Sequence, residues 1–295
     1  KYERGLGTFI DNHHVKIQKL NEENKTIYAE NIIIATGSKP RTIPNIDVDE
    51  KIIMTSDGVD HMKGFPKSMV IVGAGVIGCE YATIFSNFGK TKVYLIDRSD
   101  RILPFEDSDI SDMISKNLKE KGVTIHNKAQ LKRLEVKDGE VEYELSYKDR
   151  KNEVIRVEKA LLSVGRKLCI DGLKMENSGV TLSKRGVHIG DINTQTNIPN
   201  IYVVGDASGH ISLVNVGELE GRYAVERMFS KKYYPLNYKN ICTIMFLQPE
   251  VASVGINEKT CIEENIPVKV VKLDYSCIAR AIAMRKTEGF FKIIV

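Results

Sequence analysis

Three glycines and two acids within a short stretch carry the most chemistry in this chain. Gly73, Gly75 and Gly78 are spaced G-x-G-x-x-G, Glu80 follows them, and Asp97 stands 24 positions after Gly73. Glycines at that spacing let a backbone turn tightly, approach a phosphate with no side chain in the way, and pack a helix close to a strand. A carboxylate some way further on can accept hydrogen bonds from ribose hydroxyls. By itself the glycine pattern is weak, since ordinary turns also collect glycine.

The flanking residues supply the context. Met69-Val70-Ile71-Val72 is an apolar run leading into the glycines, and Val93-Tyr94-Leu95-Ile96 is a second run ending at Asp97. Between them Ile77, Tyr81, Ile84, Phe85 and Phe88 recur at helical spacing, and Gly89 can end the helix. The result is strand, glycine turn, helix, strand, acid: a βαβ dinucleotide-binding unit. The helix start offers backbone N–H groups, those of Val76 and Ile77 among them, and a partial positive charge for a diphosphate. Asp97 favours NAD, because a carboxylate accepts from a 2′-hydroxyl and repels a 2′-phosphate. Arg98 and Arg101 attract phosphate, so NADP is tolerated. Glu80, in the first turn, is also an acid that the helix dipole stabilises.

The whole chain sets bounds. Its 295 residues allow two domains, and a net charge of +4, evenly spread, gives no argument for nucleic acid. No apolar run approaches a membrane span, and no charged-then-apolar export leader is visible. Lys1 is not a natural start, so a trimmed N-terminus is expected. Cys79, Cys169, Cys242, Cys261 and Cys277 are scattered without metal-ligand spacing, which suits a reducing cytoplasm and no metal site. Cys79 reads as a packing residue, and His13-His14 as a surface turn.

Further elements follow from pattern. Short strands are expected at Gly5–Ile10, Val15–Ile17 and Asn24–Tyr28, and an apolar strand at 31–37 ends in Thr36-Gly37. Ser38–Asp57, with two prolines, reads as an irregular connection. Asp107–Lys121 reads as a helix with Ile110, Met113, Ile114 and Leu118 inward, followed by a strand at Val123–Ile125. A three-stranded meander then runs from Leu131 through the Asp138-Gly139 turn to Val157. Ala160–Arg166 closes that unit. Gly172–Gly186 is polar and turn-rich, Pro199–Asp206 is a strand ending in Gly-Asp, and a helix runs from about Ser212 to Met228. From Ile241 to Val295 the pattern is strand, strand, helix, strand, strand.

Three separated segments, Ile32 to Gly37, Gly73 to Glu80 and Ile201 to Asp206, stand in the order found in one family. The sequence resembles the pyridine nucleotide-disulfide oxidoreductases, two-dinucleotide flavoproteins. GAGVIGCEYATIF (73–85), LIDRSDRILPF (95–105) and DASGHISLVNVGELEGR (206–222) are most similar to the soluble transhydrogenase branch. Dihydrolipoamide dehydrogenase is the alternative, and an isolated dinucleotide-binding fragment without turnover is an alternative of another class. The resemblance implies an α/β fold: a Rossmann-like NAD(P) domain inserted into an FAD domain, then the start of an α+β dimer-interface domain. It implies FAD-domain parts at 1–60 and 167–238, the NAD(P) domain at 61–166 and the interface domain at 239–295. It also implies a homodimer that binds FAD and NAD(P).

On this resemblance the NAD(P) candidates are Gly73, Gly75, Val76, Ile77, Gly78, Glu80, Asp97, Arg98 and Gly165. Glu80 would stand beside the nicotinamide. The FAD candidates are Thr36, Gly37, Gly205 and Asp206, with Asp206 accepting from the ribityl chain. The family's first glycine motif, redox cysteine pair and C-terminal His–Glu pair have no counterpart here. No catalytic residue is therefore assigned, and the chain is expected to bind NAD(H) while retaining little flavin.

Overall fold

The computed structural model describes residues 1–19, 23–183, 186–187, 194–230 and 234–295. Lys184-Arg185, in the segment read above as polar and turn-rich, fall outside the described residues. The chain is mixed α/β and divides into two compact units: residues 1–39 with 166–238, and residues 40–165 with 239–295.

The second unit is built on a five-stranded parallel sheet. Its spatial order is Ile53–Met54, Lys159–Leu162, Ser68–Val72, Lys92–Ile96, Thr124–His126. Alternate residues of Ser68–Val72 serve two cores. Met69 and Ile71 point into a cluster with Cys79, Ala82, Phe85, Ile114 and Leu118 from the two helices. Val70 and Val72 point into a cluster with Leu134, Val141, Tyr143, Leu145 and Val157 from a meander. Both faces of the strand are covered, which is why its sequence reads as an unbroken apolar run.

The meander comprises Gln130–Lys137, Glu140–Ser146 and Glu153–Val157, all antiparallel. The first two strands turn at Asp138-Gly139, where both residues have positive φ, 54° and 82°, as a two-residue hairpin turn requires. The second helix, Ser108–Glu120, is capped by the Asp107 carboxylate, which accepts from the Asp109 N–H.

The glycine-turn helix, Val76–Asn87, buries Phe85 and packs Tyr81 against the core as expected, but not the whole of the expected face. Gly78, Cys79, Ala82, Thr83, Phe85 and Ser86 are inward, whereas Ile84 and Phe88 are 43% and 59% exposed. The cause is steric. A Cβ on Gly78 would lie 1.9 Å from the Gly73 carbonyl oxygen, so the helix rests closely on the sheet at Gly78, with Phe85 also inward and Ile84 and Phe88 left outside the contact.

One further expectation is corrected. Residues 38–57 are not wholly irregular, since Ser38–Pro40 pairs with Arg166–Leu168 and Ile53–Met54 pairs beside Ala160-Leu161. Residues 40–60 cluster with the second unit. His13 lies in the bend between Leu6–Phe9 and His14–Gln18, in keeping with the surface turn expected there. The His13 and His14 backbone N–H groups both donate to Asp11, both rings lie against Tyr28, and His14 opens a strand.

Residues 239–295 contribute the hairpin Cys242–Met245 with Val251–Val254 and the pair Val270–Asp274 with Phe290–Ile294. Met245, Leu247 and Val251 join the helix-side core. Lys292 reaches the first turn of the Ser108–Glu120 helix, where its ammonium donates to Asp107 (2.8 and 2.9 Å) and Asp109 (2.8 Å), and also to Glu258. Burial lowers the Lys292 pKa, but the three carboxylates outweigh it and hold the amine well above its ordinary value.

In the first unit, Leu6–Phe9, His14–Gln18 and Lys25–Tyr28 form an antiparallel sheet. Ile32–Ile34 pairs in parallel with Ile201–Val203. The helix Val214–Phe229 follows a single turn of 3₁₀ helix at Gly205–Ser208.

Candidate functional site

The sheet of the second unit fixes where a ligand can sit. After Ser68–Val72 the chain adds strands on one side, then returns to place Lys159–Leu162 on the other. The order reverses at the carboxyl end of Ser68–Val72, where α/β sheets open a crevice. Gly73 follows that strand, Asp97 follows Lys92–Ile96, and Gly165 lies just beyond Lys159–Leu162. Candidates scattered over more than 90 residues are thus gathered along one sheet edge.

The turn itself is tightly held. Gly73 has φ +102°, and a Cβ there would sit 2.4 Å from the Ser163 carbonyl oxygen. The Ser163 hydroxyl donates to the carbonyls of Val72 (3.0 Å) and Gly73 (2.8 Å). Asp97 reaches back: Oδ2 accepts from the Ala74 N–H at 2.7 Å, and Oδ1 accepts from the Ser99 N–H at 2.8 Å. The acid at the second strand end therefore braces the glycine turn. Arg98 is exposed beside it.

Gly75 differs from its two partners. It has ordinary backbone angles, φ −76° and ψ −168°, and a Cβ built on it meets no heavy atom within 4 Å. Nothing in the fold requires glycine there. As N-cap it offers no side-chain acceptor to the N–H groups of the helix that begins at Val76. Open space in front of an uncapped helix start suits a diphosphate, so the residues present fit a dinucleotide. Glu80 is half-buried one turn further on, where Oε1 accepts from the Phe246 N–H at 2.9 Å. Cys79 is fully buried, and burial pushes its thiol up to about 12, so it is a packing residue and not a nucleophile.

The flavin candidates converge in the first unit. The parallel pair brings Thr36-Gly37 and Gly205-Asp206 to the same strand ends, with the Val204 N–H donating to the Ile34 carbonyl at 3.0 Å. Gly37 and Gly205 both have left-handed backbones, φ +70° and +62°. The Ser38 hydroxyl accepts from Arg166 Nε at 2.6 Å and donates to Asp206 Oδ2 at 2.5 Å. Asp206 thus lies at the end of a hydrogen-bonded relay, with the Arg166 guanidinium 3.7 Å away. Thr36 is exposed. An acid held at a strand end beside two left-handed glycine turns fits the polyol chain of a flavin.

Sequence reasoning missed Ser38, Arg166, Ser163 and Glu220 as parts of these turns. Arg166, Ser163 and Glu220 lie inside quoted segments, but their role depends on neighbours about 15 to 130 residues distant. Among the described residues, Asp107, Asp109 and Glu258 form a group of acids close enough to share a cation, and the Lys292 ammonium already bonds all three. A groove of about 1240 Å³ lined by Phe105, Ile110, Met113, Val251 and Phe291 contains none of the candidate residues.

A parallel sheet with a bare glycine turn at its reversal point, and an acid bracing that turn, define a dinucleotide-binding α/β protein. Residues 2–221 match the family described as Pyridine nucleotide-disulphide oxidoreductase, and residues 241–295 match that family's dimerisation domain. The chain belongs to this family.

It is 34% identical to a dihydrolipoyl dehydrogenase of Chlamydia trachomatis over 292 residues, covering 98% of this chain and 61% of that protein. A Bacillus subtilis dihydrolipoyl dehydrogenase is 35% identical, over 92% of this chain and 57% of that one. The chain thus spans about three-fifths of the length of these relatives. Among solved structures it is similar to the HOCl-induced flavoprotein disulfide reductase RclA from Escherichia coli, with TM-score 0.86, 28% identity and coverage of 99% and 65%. LpdA from Mycobacterium tuberculosis, at 24% identity and TM-score 0.89, shares the fold. These relatives favour the dihydrolipoamide dehydrogenase reading over the transhydrogenase branch that the sequence segments suggested.

Proposed function

We propose that the whole protein is an FAD-dependent oxidoreductase that exchanges hydride with a nicotinamide coenzyme and electrons with a dithiol–disulfide substrate of the dihydrolipoamide type. Flavin and nicotinamide supply the hydride chemistry when bound. The chain's own residues bind and orient. In this reading the helix start at Val76 and Ile77 holds the diphosphate, with Gly73, Gly75 and Gly78 shaping the turn and Gly165 flanking it. Asp97 accepts from the adenosine ribose, which favours NAD, and Arg98 lets NADP be tolerated. Glu80 stands beside the nicotinamide, while Thr36, Gly37, Gly205 and Asp206 hold the flavin. Residues 1–60 with 167–238 form the flavin-binding parts, 61–166 the NAD(P) part and 239–295 the interface of a homodimer. Five free cysteines suit a reducing cytoplasm. No helix among the described residues is long and apolar enough to cross a membrane.

One observation carries the coenzyme reading: Gly75 is a glycine that the fold does not need, in front of an uncapped helix. The decisive experiment assays the whole protein for dihydrolipoamide-dependent NAD reduction and for hydride exchange between NADPH and an NAD analogue. Turnover in the first assay and little in the second is expected. Efficient exchange without disulfide turnover would return the transhydrogenase reading. NADH and NADPH titrations should show tighter binding of NADH.

A further inference from the structure

Glu220 is a carboxyl group with no solvent exposure, on the helix Val214–Phe229. Burying an acid is costly unless hydrogen bonds compensate. Here both oxygens are engaged. Oε2 accepts from the Gly205 N–H at 2.6 Å, and Oε1 accepts from the Tyr238 hydroxyl at 2.8 Å. Burial raises the Glu220 pKa, and the Tyr238 and Gly205 hydrogen bonds act against that rise.

The helix is brought against the same turn by Gly217, three residues earlier. A Cβ on Gly217 would lie 3.1 Å from the Gly205 Cα. Gly205 immediately precedes Asp206 and has no side chain to steer its left-handed backbone. The peptide that aims Asp206 is therefore gripped from one side by Glu220. On the other side the carboxylate of Asp206 is gripped by the Arg166–Ser38 relay. Tyr238 holds the second oxygen of Glu220, so the carboxyl plane cannot turn away from Gly205.

We propose that Glu220 is a positioning residue for the flavin ribityl chain, fixing the Gly205-Asp206 peptide so that the Asp206 carboxylate faces the ribityl hydroxyls. The inference rests on the assignment of Asp206 to the flavin made under the proposed function. Glu220 does not touch flavin itself. It acts through the Gly205 amide, and Tyr238 acts through Glu220.

The test uses the whole protein and reads FAD affinity and the fine structure of the visible flavin spectrum, not turnover. E220M fills the same space without an acceptor and should bind FAD roughly tenfold to a hundredfold more weakly, with a spectrum closer to free flavin. E220Q should restore both readouts, because its carbonyl still accepts from Gly205 while its amide donates to the Tyr238 oxygen. Y238F should weaken FAD roughly threefold. Because it removes one hydroxyl, it keeps the test decisive if E220M does not fold.

D206A is the control for the underlying assignment. If D206A loses FAD while E220M and Y238F bind it as tightly as the parent, the positioning role is overturned and the Asp206 assignment stands. If D206A keeps the parent affinity and spectrum, the Asp206 assignment falls and the positioning role falls with it.

Discussion

At the residue scale, the three glycines of one motif do different work. Gly73 and Gly78 are required by the fold, since a Cβ on either would collide with a backbone carbonyl at 2.4 or 1.9 Å. Gly75 is required by nothing within 4 Å. We expect G78A to lose about 1–3 kcal/mol or more of stability through overpacking. G75A should change stability by less than about 1 kcal/mol but weaken NADH roughly tenfold. Thermal melts and fluorescence titrations of the two variants separate the roles, and equal losses in both would refute the division. Asp97 combines the two duties. D97A strips acceptors from the Ala74 and Ser99 N–H groups, so it should cost about 1–2 kcal/mol in a melt and also lower NADH affinity. Coenzyme preference cannot be retuned at position 97 without loosening the turn.

At the element scale, the meander carries its own charge lock. Glu142 accepts from Lys137, Arg133 and Arg156, and those hydrogen bonds, Lys137 first, hold its carboxyl down at about 2 from 4.5. The folded value is the lower one, so this stabilisation is complete above pH 4.5 and is lost as pH falls towards 2. E142Q should lower the neutral plateau and flatten the acid limb of stability against pH in that window, converging on the parent near pH 2. An acid limb as steep as the parent's would exclude this role for Glu142. The meander was legible because Asp138-Gly139 and the alternating residues around it follow local rules. So were the βαβ strands and the helix beginning near Asp107. The buried face of the Val76–Asn87 helix was legible only in part: Gly78, Cys79 and Phe85 are inward as read, but Ile84 and Phe88 are exposed despite their size. The Ile53–Met54 strand was missed. Two residues have no periodicity, and their pairing partner lies more than 100 positions away. The strand-end acids were legible as candidates, but the residues that brace their turns, Ser163, Ser38 and Glu220, show themselves only in the folded contacts.

At the scale of the whole molecule, long-range pairings decide what holds together. Lys292 ties the Phe290–Ile294 strand to the start of the Ser108–Glu120 helix through three acids, and its own side chain is 8% exposed. K292M would leave those carboxylates facing one another. Because Asp109 and Glu258 are partly solvated, the expected loss is about 1–3 kcal/mol, with faster proteolysis within residues 239–295. Unchanged cleavage rates would show that the apolar contacts of Met245, Leu247 and Val251 suffice. A different long-range pairing bears on how the chain is made. Ile32–Ile34 receives Ile201–Val203 along one edge, and the intervening residues take roughly ten to thirty seconds to leave a ribosome at typical synthesis speeds. During that interval the nascent strand offers bare amides and carbonyls on that edge to any other chain emerging nearby. Slower translation between these two strands should therefore lower the yield of native protein, and a chaperone that shields short apolar edges should recover it.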